Sequence, residues 1–146
     1  MSEILLRIHS LLPYLFLVLM LVVLAMAIRS LSSGKFSTKE LALARIVLIL
    51  AHIQLLFGLA VLFLGEAAQS AFAGGMGNIM KDSELRKRFI EHPTMMIIAV
   101  ALITIGFARS KRADNSKAKN KNILIFFGIA FVLILSRIPY DTWLNL

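Results

Sequence analysis

The segment IHSLLPYLFLVLMLVVLAMAI, residues 8–28, contains no formally charged residue and lies between Arg7 and Arg29. A helix of about 20 mostly apolar residues is long enough to cross the roughly 30 Å hydrocarbon core of a bilayer. The chain has three further uncharged runs, which lie between Arg45 and Glu66, between Glu91 and Arg109, and between Lys121 and Arg137. The sequence therefore predicts four membrane-spanning helices.

The composition supports an integral membrane protein with very little soluble mass. Of 146 residues, 59% are hydrophobic, whereas soluble domains are about 45–50% apolar. We predict a single all-α transmembrane domain over residues 1–146, with spans at about 4–29, 41–65, 89–109 and 122–138. Short connections between consecutive helices favour an antiparallel four-helix bundle. The absence of cysteine excludes disulfides, thiolate metal sites and covalent CxxCH haem attachment.

The excess positive charge is confined to the first and third connections. They contain ten lysine or arginine residues against the acids Glu40 and Asp114, a net charge of +8, whereas the termini and the second connection net zero. Connections rich in lysine and arginine stay in the cytoplasm, so both termini and the second connection are predicted to lie outside. The basic residues thus indicate topology and contact with anionic lipid heads, and argue against a nucleic-acid-binding role.

Local signals define where the helices begin and end. Ser37 and Glu40 have the spacing of a capping box, in which the serine side chain and the glutamate each satisfy an amide at the helix start. Asp82 or Ser83 can cap a short amphipathic segment that lies at the outer interface or extends the third helix. Pro139 is expected to stop or kink the fourth helix.

The chain has only three histidines, and each lies in or at the edge of a predicted span. An ionisable residue at membrane depth is by default a candidate functional group. His9 follows Arg7 by two residues, and His92 opens the third run, so both are expected near the outer face. His52 precedes Glu66 by fourteen residues, about 21 Å of helix, which places it in the inner half of the membrane. We therefore expect His9 and His92 to meet, with His52 two to three turns deeper.

Two cofactors suit a histidine pair near the outer face. Imidazoles from facing helices can clamp a haem b iron, with His9 and His92 as the candidate iron ligands and His52 as the alternative partner. Arg7 and Arg137 can neutralise the haem propionates. The same groups suit a quinone head group, with which a histidine can exchange protons. Each residue also has a plain structural interpretation: His92 beside Pro93 as a helix start, His9 as an interfacial polar group, His52 as a packing residue and Arg137 as a snorkelling end residue.

Three stretches together resemble a known group of proteins. They are RIHSLLPYLFLVLMLVV (7–23), AHIQLLFGLAVLFLG (51–65) and EHPTMMIIAVALITIGFARSKR (91–112). They resemble the signature stretches of small bacterial four-helix membrane proteins labelled cytochrome-b-like, which carry His-Ser, His-x-Gln-x-x-x-Gly and Glu-His-x-x-Met-Met. The matching residues here are His9-Ser10, His52 with Gln54 and Gly58, and Glu91-His92 with Met95 and Met96. Where those proteins have Arg-Trp after the first histidine, this chain has Pro13-Tyr14.

The resemblance implies a multi-pass protein of the bacterial inner membrane that takes part in electron transport. Our leading hypothesis is a haem-b-binding or quinone-interacting electron-transfer protein with its site near the outer face. The alternative is a cofactor-free structural or accessory subunit of a larger membrane complex, in which the apolar helix faces contact other subunits or a second copy of the chain. The sequence contains no catalytic motif for hydrolysis, phosphoryl transfer or nucleotide binding.

Overall fold

A computed structural model describes residues 2–144, with side chains from residue 3 onward. This part of the chain is helical and contains no β-strand. Its α-helices are α1 (Ser2–Ser33), α2 (Thr38–Leu64), α3 (Glu66–Ala73), α4 (Met76–Lys81), α5 (Ser83–Arg86), α6 (His92–Arg112), α7 (Ser116–Arg137) and α8 (Tyr140–Trp143). A π-helical segment, Lys87–Glu91, joins α5 to α6.

Four helical stretches are long and apolar enough to cross a membrane: Glu3–Ser33, Thr38–Leu64, Ser83–Arg112 and Ser116–Arg137. They contain 31, 27, 30 and 22 residues, against the roughly 20 that a span requires. The four predicted spans fall on these stretches, although all four helices begin earlier than predicted, the third and fourth by about six residues. The third is extended by α5 and the π segment, which agrees with one of the two alternatives for the residues after Asp82.

The four long helices pack around a shared core. The most extensive contacts join α1 to α2 and α6 to α7, and further contacts join α2 to α6 and α1 to α7. The core contains small or apolar residues from every long helix, including Met20, Val47, Ile103 and Phe127, each with no exposed surface. Because each helix contacts two neighbours, the two pairs α1–α2 and α6–α7 close around the same interior.

The outward faces of the long helices are as apolar as the core. Leu56, Phe63 and Val132 have more than 60% of their surface exposed, and large exposed aliphatic residues occur on α1, α2, α6 and α7. Apolar exposure on this scale is costly in water and costs nothing against lipid tails. The surface is therefore compatible with contact with a lipid bilayer.

The predicted helix boundaries are confirmed where a capping residue sets them. Ser37 accepts a hydrogen bond from the Glu40 amide, and the Glu40 carboxylate accepts one from the Ser37 amide, which completes the capping box. Asp82 caps α5 by accepting hydrogen bonds from the Glu84 and Leu85 amides. The helix α7 ends at Arg137, before the predicted Pro139 stop.

The short helices α3 and α4 were not predicted. The second connection looked flexible because of its glycines, but α3 has the sequence EAAQSAFA, whose alanines favour helix. Ala68 and Ile79 are buried and attach these helices to the rest of the molecule. Gly75 separates them with φ of 95°, a conformation that residues with a side chain rarely adopt.

Pro93 lies inside a continuous helical stretch and not at its start. Proline has no N–H and its ring crowds the preceding turn, so it disturbs a regular α-helix. Immediately before it, the His92 amide donates to the Lys87 carbonyl five residues earlier, which is π-helical geometry. The wider turn accommodates Pro93 without ending the helix. The π-helical turn also sets the direction in which the side chains of Glu91 and His92 point from the backbone.

Candidate functional site

A cavity of about 310 Å³ opens among α1, α2, α3, α6 and α7, at the end of the core where α8 and the π segment lie. Its lining along α1 runs from Glu3 to Leu17, about 21 Å of helix. Most of the lining is apolar, and His9, Gln54 and His92 are among the few polar side chains. A largely apolar pocket with a small number of polar groups is the usual form of a small-molecule site.

The helix α1 leaves the backbone carbonyl of His9 without its usual partner. In an α-helix this oxygen accepts from the amide four residues later, and that residue is Pro13, which has no N–H. Gln54 Nε2 on α2 supplies the missing donor at 2.7 Å. A proline inside α1 is thus matched by a glutamine on the neighbouring helix.

The same Gln54 nitrogen determines which nitrogen of His9 carries the ring proton. It lies 3.0 Å from His9 Nδ1. The reverse orientation of the amide would place Gln54 Oε1 against the carbonyl oxygen of His9, two acceptors in contact, so the NH₂ group faces both atoms. Since Nδ1 accepts from Gln54, a neutral His9 carries its proton on Nε2 and presents a donor there.

The ring of His92 carries its proton on the other nitrogen from that of His9. Its Nδ1 lies 2.9 Å from the backbone oxygen of Arg137, at the end of α7. This carbonyl is one of the last in its helix and has no amide partner within α7. A carbonyl only accepts, so Nδ1 of His92 donates, and a neutral His92 presents an unprotonated Nε2.

The two rings meet across the cavity. Their centroids are 6.3 Å apart and their planes cross at 78°, which confirms the proximity predicted for His9 and His92. Within residues 2–144 no hydrogen bond engages Nε2 of either ring. The pair therefore offers the cavity one hydrogen-bond donor and one acceptor.

Gly58 provides the space that the His9 ring occupies. A Cβ atom at this position of α2 would lie 2.8 Å from Cε1 of His9, closer than real Cβ contacts. It would lie 3.4 Å from Nδ1 and 3.6 Å from Nε2 of the same ring. Gln54 and Gly58 are one helical turn apart on α2, so one turn both orients and accommodates His9.

The C-terminal segment closes one side of the cavity. Trp143 on α8 donates from Nε1 to the backbone oxygen of Ser10 at 2.6 Å. Its ring lies 4.6 Å from that of Tyr14, at an interplanar angle of 32°. Trp143 also lines the cavity. It is thereby fixed against α1, next to His9.

An ion-pair network lies at the exposed end of the site. Glu91 accepts a hydrogen bond of 3.0 Å from Arg86 through Oε1, and its Oε2 lies 3.4 Å from Nε of Arg137. The second distance is too long for a well-formed hydrogen bond. All three side chains are about one-third exposed or more, so solvent screens their charges. The network holds the start of α6 to the end of α7, where His92 contacts Arg137.

The remaining predicted residues lie apart from this cavity. His52 is exposed on α2, and its Nδ1 contacts the Leu48 carbonyl of its own helix at 2.8 Å. Arg7 is exposed on α1 and does not line the cavity. The structure therefore brings together His9, His92 and Arg137 of the five predicted cofactor-binding residues, with Arg137 contributing its backbone carbonyl.

The sequence contained signals for the residues that were missed. Pro13 follows His9 by four residues, which marks the His9 carbonyl as the one without a helical partner. Gln54 and Gly58 are spaced by one turn, but their facing helix is unknown from sequence alone. Trp143 is separated from α1 by most of the chain, so no local pattern points to its place in the lining.

The histidine pair meets only part of the requirements for a haem iron. Two metal–imidazole bonds of about 2 Å each put ring centres about 6 Å apart, which matches the observed spacing. A ligating histidine usually donates its other N–H to a carbonyl, as His92 does. His9 does not fit, because its Nδ1 accepts from Gln54 and its Nε2 carries the proton. The described residues also contain no cluster of three or more His, Asp or Glu side chains suited to another metal.

No protein-family model, curated protein or solved structure matches this chain.

Proposed function

We propose that the chain is a quinone-binding electron-transfer protein of the bacterial inner membrane, with the head group between His9 and His92. The observation that carries the proposal is the complementary pair of imidazole nitrogens in an apolar cavity. A quinone head group accepts hydrogen bonds at its carbonyls and, when reduced, donates them from its hydroxyls. Its apolar tail suits the lining of α1 and α2.

In this proposal each cavity residue has a separate task. His9 donates from Nε2 to an oxygen of the head group, and His92 accepts from a hydroxyl through Nε2. Gln54 and the Arg137 carbonyl hold the two rings in these roles. The mostly apolar lining lowers the local dielectric constant, which strengthens both hydrogen bonds.

We propose an antiparallel four-helix transmembrane bundle, with both termini outside and the first and third connections in the cytoplasm. Contacts between opposite ends of consecutive helices support the antiparallel order: His9 near the start of α1 meets Gln54 in the second half of α2, and His92 at the start of α6 meets Arg137 at the end of α7. The basic residues of the two connections support the orientation. The cavity would then lie near the outer face.

A fluorescence titration tests the binding proposal directly. Trp143 is the only tryptophan of the chain and lines the cavity, and quinones quench tryptophan fluorescence on contact. A short-chain quinone added to the protein in nanodiscs should quench Trp143 saturably. His9→Leu should weaken this quenching about tenfold or more, because the head group loses its donor, whereas His52→Leu should leave the quenching unchanged. Quenching that does not saturate, or that is unchanged in His9→Leu, would contradict the proposal.

Haem b is the second candidate, favoured by the 6.3 Å spacing of the His9 and His92 rings. It requires the Gln54 side chain to rotate so that His9 exposes an unprotonated Nε2. Arg137 lies beside Glu91 and Arg7 does not line the cavity, so Arg88 is the arginine of the lining that could pair with a propionate. A visible spectrum of the purified protein decides this: a Soret band lost in His9→Leu and His92→Leu supports haem. A colourless protein that also fails the quinone titration would favour the accessory-subunit alternative.

A further inference from the structure

We infer that the opposite tautomers of His9 and His92, which Gln54 and the Arg137 carbonyl hold in place, make the histidine pair select a hydroxyl group over a carbonyl, and hence a reduced quinol head group over its oxidised form. The inference rests on the proposed function, because it concerns which form of the ligand the same cavity takes. The inference follows from the hydrogen bonds that the Nδ1 atoms of His9 and His92 make with Gln54 and with the Arg137 carbonyl.

The first step is that the proton on His9 is fixed by the protein. The carbonyl of His9 needs a donor because Pro13 has none to offer. Gln54 Nε2 satisfies it at 2.7 Å and thereby turns its second N–H toward His9 Nδ1 at 3.0 Å. Leaving this part-buried carbonyl unpaired is costly, so the backbone of α1 holds the amide orientation, although Gln54 Oε1 is then buried without a partner among the described residues. The ring proton of His9 therefore stays on Nε2.

The second step is that the proton on His92 is fixed in the other position. The Arg137 carbonyl at the end of α7 can only accept, and it lies 2.9 Å from His92 Nδ1. The two histidines are consequently opposite tautomers. Their contacts come from different helices, so neither ring reorients without disturbing α2 or α7.

The third step concerns the ligand. A hydroxyl group accepts from one partner and donates to another, so a single hydroxyl satisfies both Nε2 atoms of a pair with centroids 6.3 Å apart. A carbonyl accepts only. It can pair with His9 but leaves Nε2 of His92 without a donor in a mostly apolar cavity. A buried acceptor left unpaired weakens binding by about tenfold or more.

Nitrogen NMR of the protein with ¹⁵N-labelled histidine tests the first two steps without any ligand. The shifts of the two ring nitrogens report which one carries the proton. His9 should be protonated on Nε2 and His92 on Nδ1, with assignments from His9→Leu and His92→Leu. Finding both residues as the same tautomer would overturn the inference. In Gln54→Leu, the preference of His9 for the Nε2 proton should be lost, an effect that a merely structural role would not produce.

A redox-inert pair of probes tests the third step: 4-octylphenol, which donates and accepts, and its methyl ether, which only accepts. Dissociation constants are read from the histidine shifts in nanodiscs. The phenol should bind about tenfold more tightly than the ether in the unmodified protein and in Gln69→Leu. Gln69 is the other glutamine of the chain and lies exposed on α3. In His92→Leu, which removes the acceptor and leaves only the His9 donor, the two constants should become similar.

The outcomes separate this inference from the proposed function. Equal binding of phenol and ether to the unmodified protein would overturn the hydroxyl preference while leaving a head-group site between His9 and His92 in place. Binding of neither probe, together with unsaturable quenching by quinone, would contradict the proposed function itself. A preference for the phenol that survives His92→Leu would show that His92 is not the acceptor that selects the hydroxyl.

Discussion

The side-chain nitrogen of Gln54 lies 2.7 Å from the backbone oxygen of His9, on a different helix and forty-five residues away in the chain. This oxygen is the one that Pro13 deprives of its helical donor. The contact thus links a break in the hydrogen bonding of α1 to the only glutamine of α2. The same nitrogen also orients the imidazole of His9. The unpaired carbonyl in α1 therefore determines which nitrogen of His9 donates into the cavity.

Gln54→Leu should lower the free energy of unfolding by about 1 kcal/mol, because the His9 carbonyl loses its donor inside the protein. In the background of Pro13→Ala, which restores an N–H to that carbonyl, the same substitution should cost clearly less. Denaturant unfolding of the four proteins in mixed micelles measures this cycle. Gln69→Leu serves as the control and should have little effect. Equal losses in both backgrounds would show that the carbonyl contact does not contribute.

Gly58→Ala should impair binding without unfolding the protein. The added Cβ would lie 2.8 Å from Cε1 of His9 and displace the ring, whereas alanine itself is a better helix former than glycine. We expect quenching of Trp143 by a short-chain quinone to require about ten times more quinone. Gly128→Ala is the matched control, since its Cβ would enter open space on α7. Unchanged quenching in Gly58→Ala would mean that His9 does not hold the ligand.

Glu91→Gln should have only a small effect on stability. The Glu91, Arg86 and Arg137 side chains are about one-third exposed or more, and exposed ion pairs contribute roughly 0–1 kcal/mol. Neither Nε2 atom of the histidine pair depends on Glu91, so quinone quenching should persist. Thermal unfolding and the fluorescence titration measure the two effects. A loss of binding as large as that in His9→Leu would place Glu91 in the site itself.

The proposed orientation predicts which connections a membrane-impermeant thiol reagent can reach. The chain has no cysteine, so single substitutions provide unique labels. Lys81→Cys, in the second connection, should react with the reagent in intact cells whose outer membrane lets the reagent reach the outer face of the inner membrane. Lys117→Cys, at the start of α7, should react only after the membrane is permeabilised. Both positions are exposed. The reverse labelling pattern would invert the topology.

The features that depend on local sequence were predictable. Residues 8–28 marked α1 by length and lack of charge, and Ser37 with Glu40 marked the start of α2. The proximity of His9 and His92 was predicted by counting residues from the ends of the uncharged segments, because the helix rise per residue converts that count into depth in the membrane.

The features that depend on how helices rotate against one another were not predictable. Gln54 was noted beside His52, but only packing decides that Gln54 faces α1 while His52 faces outward. The π segment before Pro93 was missed because the sequence does not state whether a helix stops at a proline or widens to accommodate it. The contact of Trp143 with Ser10 joins residues 133 positions apart, beyond the reach of local patterns.

The central claim is that His9 and His92 together hold a ligand head group, and its most direct measurement is a titration of ¹⁵N-histidine-labelled protein in nanodiscs with a short-chain quinol. The protein has three histidines, and His52, exposed and bonded to its own helix, is an internal control. The ring-nitrogen signals of His9 and His92 should shift together and saturate, while those of His52 stay in place. Signals of His9 and His92 that remain unmoved, or that move no more than those of His52, would contradict the claim.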